Sequence, residues 1–483
     1  MANIRFSKFV GTAFFIALFT SVSFFISCKK MPGRDQVNPE IENADINQWI
    51  LDTMRYYYYW TQSIPKDNRL DMNLSPDDFF NSLLNKPTDR FSWIQQAEDL
   101  KNELNGVIKT SGIEVGFFSI GENGAGISVK YVLEGSPADA LGVKRGDIFT
   151  RVNGIALTTK NGYVQGYEPL FGNDTFTLTK GILSEDIISE GETITLTPVE
   201  GYQEKAIQME DIIRTDNGTK VAYLFYNRFL NQPQELVDAF VRFKEAGVTE
   251  LIIDERYNGG GSVDIAALLS AMIHQGFDIN SPFIQFDFND HFRDETLTYA
   301  DLFGEVNEPL VSSVNLGLNR VFILATENSA SASELLINNL KPFLSVVHIG
   351  GTTYGKDAGS ITFENSSPKF AGANDWGIQP IVLKYKNKDG GGDFVTGLVP
   401  DHVVKETVPF APMGSSSDPL IGKALGIIDP SMQTTAQRQM RTVDGRRSPA
   451  TALSLLEKAN RDLFNPRPLD VTELLKEHSP QRN

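Results

Sequence analysis

The stretch E-N-S-A-S-A-S-E-L-L-I-N-N-L, Glu327 to Leu340, follows directly on the apolar run Val321 to Thr326. Val321, Phe322, Ile323 and Leu324 have the composition of a buried strand, and Leu335, Leu336 and Leu340 share one side of a helix running from Glu334 to Leu340. Three small hydroxyl residues therefore occupy a strand-to-helix turn. Such a turn can expose one serine oxygen while backbone N–H groups at the helix start point toward a developing negative charge. The alternative is that Ser329, Ser331 and Ser333 only cap the helix, which serine does well.

On either side of this turn lie two glycine-bearing loops. Upstream, strand Val221 to Tyr226, helix Gln234 to Ala246, strand Glu250 to Asp254 and helix Val263 to Ile273 alternate as βαβ connections do, and predict a sheet covered by helices. The second strand runs into D-E-R-Y-N-G-G-G, Asp254 to Gly261, at a strand's carboxyl end, where α/β proteins put their sites. Ser262-Val263 does not supply the Lys-Ser/Thr pair of a phosphate loop. Close backbone approach is the remaining functional reading, with a glycine N–H as oxyanion donor. Downstream, strand Ser345 to Ile349 leads into G-G-T-T-Y-G-K-D-A-G-S, Gly350 to Ser360, which sets Lys356 on a glycine-bracketed turn.

Between about 105 and 200, short β-type runs (Gly126 to Val132, Ile148 to Val152, Thr193 to Pro198) are separated by Gly and Asn turns. Glu134 to Gly154, E-G-S-P-A-D-A-L-G-V-K-R-G-D-I-F-T-R-V-N-G, predicts a short helix from Pro137 to Leu141 and a Gly146-Asp147 turn into a strand. This passage resembles a PDZ domain. The resemblance implies that the loop Gly112, Ile113, Glu114, Val115, Gly116 and Phe117 presents N–H groups to a peptide's terminal carboxylate while the peptide adds as a strand. Glu114 departs from the apolar pattern of that loop and must turn away from an acidic ligand.

Nearer the amino terminus, Ile46, Ile50, Met54 and Tyr57-Tyr58 keep helical spacing, and Ser75 precedes a second helix, Pro76 to Leu84. The aromatic run Tyr56 to Trp60 reads as core. Arg5 and Lys8 precede an apolar run from Phe9 to Ile26, and Cys28, the one cysteine of the chain, follows. The spacing F-I-S-C resembles a bacterial lipoprotein signal, which implies lipidation of Cys28; an uncleaved anchor is the alternative. Either puts the remainder outside the cytoplasm, in the cell envelope and anchored to its membrane. Lys29 to about Asn43 reads as a tether.

Composition sets the outer limits. A chain of 483 residues predicts about two to four domains. With 44 basic against 61 acidic residues and a net charge of −17, nucleic acid is not an expected partner. There is no H-E-x-x-H, the five histidines are scattered, and neither metal nor organic cofactor is expected.

Taken together, Asp254 to Gly261, Ser329 to Glu334 and Gly355-Lys356, with a PDZ domain upstream, resemble the carboxyl-terminal processing peptidases, or tail-specific proteases. The similarity covers about residues 45 to 425, and D-R-F-S-W-I, Asp89 to Ile94, is like that of lipoprotein members from Bacteroidetes-type bacteria. The resemblance implies a multidomain α/β architecture: signal 1–27, tether 28–43, helical domain 44–104, PDZ domain 105–200, ClpP/crotonase-like peptidase core 201–425, and a segment 426–483 of no assigned role. It also implies Ser331 as nucleophile, Lys356 as base twenty-five residues later, and oxyanion donors at the Gly261 and Ala332 N–H groups. Glu255 replaces the usual Leu after Asp254. Ser360 stands where many members have a Gln that orients the lysine, and is the candidate third member.

A serine hydroxyl needs a base to remove its proton during attack, and lysine serves only when neutral. Moving its pKa from about 10.4 to about 7–8 takes about 4 kcal/mol of preference for the neutral amine, which desolvation can supply. The expected activity is serine endoproteolysis of unfolded or tail-exposing proteins. The rivals are a relative that binds peptide tails without cutting them, favoured by Glu114 and the missing Gln, and an esterase-like hydrolase.

Overall fold

The computed structural model describes residues 43–432, apart from 173, 185–186, 305–306 and 366–374, together with 455–456 and 459–460. The apolar run, Cys28 and the tether lie outside the described residues. Among those described, no helix is long and apolar enough to cross a membrane.

The apolar spacing near the amino terminus produces two helices, Asn43–Tyr57 and Pro76–Leu83, which pack Ile50, Met54, Phe79, Phe80 and Leu83 around the buried Tyr58. Ser75 stands at the start of the second, but its hydroxyl bonds Asp78 at 2.8 Å and makes no cap to the backbone. The region is not closed on itself. Its strand Trp93–Gln96 runs antiparallel to Trp376–Gln379, with Trp93 opposite Gln379, and Ile378 joins the helical cluster. A pairing between residues so far apart leaves no trace in local periodicity.

The PDZ domain is entered and left side by side, since strand Val107–Thr110 pairs with Val199–Gln203. Strands Ile113–Ile120, Gly124–Val132 and Ile148–Val152 and the hairpin Phe176–Ser184/Ile187–Leu196 build its sheet around Phe117, Ile127, Val129, Phe149 and Leu178. The helix after Gly-Ser-Pro spans Pro137–Ala140, and Ser136 Oγ accepts the Asp139 N–H to cap it.

The α/β core has a six-stranded sheet in the order Ile207–Arg214, Lys220–Tyr226, Glu250–Asp254, Arg320–Ala325, Ser345–Gly350 and His402–Val403, parallel except at its first pair. Its central strands are apolar on both sides, as buried parallel strands must be. Helices Pro233–Ala246, Val263–Ile273 and Ala332–Leu340 cover one face, and Pro419–Ile428 covers the other. An antiparallel sheet, in which Ile381–Asn387 lies between Pro282–Phe288 and Ala358–Ser360, closes over the helix Ala332–Leu340.

A buried charge network joins the PDZ domain to the core. Arg145, on the PDZ turn, donates to Glu406, Tyr257 Oη and the Ala411 and Lys130 carbonyls, while Arg256 donates to Asp254, Glu406 and Asp418. Burial alone pushes the Glu406 carboxyl up, but Arg256 and Arg145 outweigh it and hold the group at about 2. Removing one member of such a network strands the others in a dry site. Arg145→Met is therefore expected to destabilise the chain by about 3 kcal/mol and to speed tryptic cleavage near residues 105–110 and 200–206. Urea unfolding and limited proteolysis check both, and an unchanged midpoint would mean the network holds nothing.

Candidate active site

The strand Arg320–Ala325 delivers the serine turn and the helix Ala332–Leu340 begins immediately after Ser331. The three serines are not equivalent. Ser329 Oγ donates to the Glu255 carbonyl at 2.6 Å and accepts the Thr326 N–H, and Ser333 Oγ donates to the Asn258 carbonyl at 3.0 Å. These two fasten the turn to the glycine loop. Ser331 Oγ, fully buried, has no hydrogen-bond partner among the described residues. Its backbone sits at φ 60° and ψ −114°, a conformation costing a non-glycine residue about 1–3 kcal/mol and typical of sites where geometry serves chemistry.

The glycine loop reaches this serine through its backbone. Asn258 fixes the loop by donating to the Tyr226 carbonyl and accepting the Gly260 N–H at 2.8 Å. A Cβ on Gly260 would lie 2.7 Å from Ser331 Cβ and 3.0 Å from the Ala332 nitrogen, and one on Gly261 would lie 2.3 Å from the Phe229 carbonyl oxygen. Only glycine lets the loop lie against the serine turn. Ala332 is the first residue of its helix, so its N–H has no acceptor within the helix. Gly261 is next along the loop from the residue that touches Ser331.

Ser331 and Lys356 are held by shared partners. The Glu334 carboxylate accepts the Ser331 N–H at 3.0 Å and the Lys356 N–H at 2.8 Å on one oxygen, and the Gly355 N–H and Thr353 hydroxyl on the other. From the opposite side, Tyr385 Oη lies 3.2 Å from the Ser331 carbonyl and 3.1 Å from that of Lys356. Neither Glu334 nor Tyr385 was singled out from sequence. The S-x-x-E spacing of Ser331 and Glu334 was the available signal for the first; Tyr385 lies on a distant strand and offered none.

Lys356 is fully buried beneath the rings of Phe91 and Trp93, 5.4 and 5.8 Å from its Nζ. Loss of solvation lowers its pKa to about 7, against the opposing pull of Asp89 and Glu334. Ser360 lies buried in the strand Ala358–Ser360, and Gln379 Nε2 donates to its hydroxyl at 3.4 Å while Thr362 donates to Gln379 Oε1 at 2.6 Å. A buried glutamine thus stands beside the position from which the motif's glutamine is missing, delivered by another strand and invisible to motif spacing.

In the PDZ loop, Val115 and Phe117 turn their side chains into the domain core, Gly116 faces the Phe410 ring, and Glu114 is exposed. The Gly112 N–H already donates to Thr110 Oγ1 at 2.9 Å. Beside Ile113–Ile120 lie Leu455, Leu456, Ala459 and Asn460, from the segment to which the sequence assigned no role.

The comparisons with known proteins converge. Residues 45–93 match the peptidase S41 N-terminal domain, residues 220–404 match peptidase family S41, and residues 128–166 match a PDZ domain. A carboxyl-terminal-processing protease of Picosynechococcus is 25% identical over 72% of this chain and 77% of its own length. A CtpA-like serine protease of Staphylococcus aureus is 23% identical over 82% of this chain and 71% of its own. Among solved structures, an S41 protease from Bacteroides fragilis superposes with a TM-score of 0.66 at 27% identity, covering 79% of this chain and 97% of that one.

Glu255 generates a prediction of its own. It is fully buried with neither carboxyl oxygen hydrogen-bonded among the described residues, and burial, with Asp254 adding to it, raises its pKa far above the usual carboxylate range. The folded state therefore keeps a proton that the unfolded chain loses near about pH 4.3, so stability falls as pH rises above that value. Glu255→Leu should stabilise the protein by about 1–3 kcal/mol at neutral pH and by less near the unfolded pKa. Melting temperatures measured from acid to neutral pH read this directly; a gain independent of pH would show that the carboxyl is not the cause.

Proposed function

The chain belongs to peptidase family S41 and carries a PDZ domain, and from that premise we propose that it is an exported serine endopeptidase that recognises polypeptide tails through the PDZ domain and cuts with Ser331 and Lys356. The observation that carries this reading is the difference among the three serines: two are consumed in fastening the turn, and Ser331 alone keeps an unpartnered hydroxyl on a strained backbone. Its backbone is tied to that of the buried lysine through Glu334 and Tyr385.

In this mechanism the neutral Lys356 amine takes the Ser331 proton as Oγ attacks the scissile carbonyl. The resulting oxyanion lies against the Gly261 and Ala332 N–H groups. Collapse expels the amine of the departing peptide, which receives the proton from the lysine ammonium, and leaves an acyl-enzyme on Ser331. Water, deprotonated by the same amine, then releases the second product and restores the serine. Ser360, backed by Gln379, is the proposed orienting group for the lysine. Upstream, Cys28 is the proposed site of lipid attachment to the cell envelope; Cys28→Ser should move the protein from membrane to soluble fractions, and an unchanged distribution would favour an uncleaved anchor.

Ser331→Ala and Lys356→Ala should each abolish cleavage of an unfolded protein, and the double variant should lose little more, because members of one machine are not additive. Lys356→Arg should be equally inactive, its guanidinium being unable to accept the proton. In the native enzyme the reactive form is the neutral amine, so kcat should climb about tenfold per pH unit below the lysine's pKa of about 7 and level off above it. Cleavage by folded Ser331→Ala would remove the mechanism, and a rate that falls as pH rises through this range would remove the lysine as base.

A further inference from the structure

The edge of strand Ile113–Ile120 that a PDZ ligand would join is occupied by this chain itself. Leu455 forms an antiparallel bridge with Phe118, and the Leu456 N–H donates to the Phe117 carbonyl at 3.0 Å. Asn460 completes the contact with its side-chain amide: Oδ1 accepts the Phe117 N–H at 2.7 Å, and Nδ2 donates to the Phe117 carbonyl at 3.0 Å. A primary amide has the donor and acceptor of a peptide group, so Asn460 pairs with Phe117 as a strand residue would. The contact is not a superficial one, for Ala459 and Asn460 are buried and Ala459 and Leu456 pack with Phe117, Val115 and Leu170.

We propose that Leu455, Leu456, Ala459 and Asn460 are the resident ligand of the PDZ groove, bound by the Leu455 and Leu456 strand contacts and the Asn460 amide clamp, and that they exclude external tails until displaced. Strand addition admits one occupant per edge, because the Phe117 N–H and carbonyl cannot serve two added strands. Twenty-three residues follow Asn460, so the groove here holds an internal segment by a carboxamide and not by a terminal carboxylate. The same residues also face the α/β core. Leu455 and Asn460 help to line a cavity of about 490 Å³ that also reaches Thr326, Asn328 and Gly350, where the strands that carry the serine and lysine turns end. The exclusion of substrate rests on the reading that tails enter this groove; the residence itself does not.

The test uses the full chain carrying Ser331→Ala to prevent cutting, alone and with Asn460→Ala or Leu456→Asp. Hydrogen–deuterium exchange reads protection of the Phe117 amide, and fluorescence anisotropy reads the affinity of a short labelled peptide with an apolar free carboxyl terminus. Freeing the groove should speed exchange at Phe117 and tighten peptide binding by roughly tenfold, since apparent affinity scales with the fraction of open grooves. A synthetic peptide of residues 452–463, added in trans, should bind the Asn460→Ala chain and compete with the labelled tail. Unchanged exchange and unchanged affinity in both variants would overturn the proposal, with Asn460→Ala decisive if Leu456→Asp does not fold. Faster exchange together with binding of the 452–463 peptide, but no binding of any tail, would uphold the residence and remove tail recognition instead.

Discussion

One carboxylate fixes the relation between the proposed nucleophile and its base. Glu334 is fully buried and accepts hydrogen bonds from Ser331, Thr353, Gly355 and Lys356, so the start of a helix and a loop following another strand are bolted to a single side chain. Burial raises its pKa, and those donors offset only part of the rise. An anion in a dry site is tolerated only when its oxygens are satisfied in this way. The same anion lies close enough to Lys356 to favour the ammonium, which works against the neutral base that the chemistry needs.

The opposing influence comes from the amino-terminal region. Phe91 and Trp93 stand over the Lys356 amine, and desolvation outweighs Asp89 and Glu334 together. These rings are held in place because Trp93–Gln96 is a strand of the sheet that contains Trp376–Gln379, and because Asp89 accepts the Phe91 and Ser92 N–H groups while bonding Tyr58. A region that looks in sequence like an accessory helical domain thereby contributes to the burial that lowers the Lys356 pKa. The pairing of Trp93 with Gln379 also delivers the glutamine that meets Ser360, so one strand pair serves both the lysine's environment and its neighbour.

The sequence was most legible where chemistry and periodicity coincide. Strands and helices of the parallel sheet follow from apolar runs bounded by glycine turns, and strand Glu250–Asp254 and helix Val263–Ile273 have the limits that periodicity gives. The serine and lysine turns were legible because backbone strain and glycine approach demand particular residues at fixed spacing. Periodicity fails at contacts between distant parts of the chain. Tyr385, Gln379 and the strand Trp93–Gln96 act through tertiary pairing, and the distinction among Ser329, Ser331 and Ser333 depends on which carbonyl each hydroxyl can reach. Leu455 to Asn460 carry no motif, since an asparagine amide imitating a peptide group looks like any surface asparagine.

The charge network fixes the parts of the site that must keep their geometry. Arg256 lies two residues beyond the end of strand Glu250–Asp254, at the root of the glycine loop, and its guanidinium is spent on Asp254, Glu406 and Asp418. The loop is thus clamped by charge at its root and by Asn258 at its middle, which leaves Gly260 no freedom to withdraw from Ser331. Arg145 draws the PDZ domain into the same network through Glu406. Groups that must not move are tied by buried ionic bonds whose rupture strands a charge. By contrast, the contact of Asn460 with Phe117 is made of neutral hydrogen bonds, each worth about 1 kcal/mol net and replaceable by an incoming strand with the same donors and acceptors. The difference in bond type separates what the fold holds permanently from what a competing polypeptide can exchange.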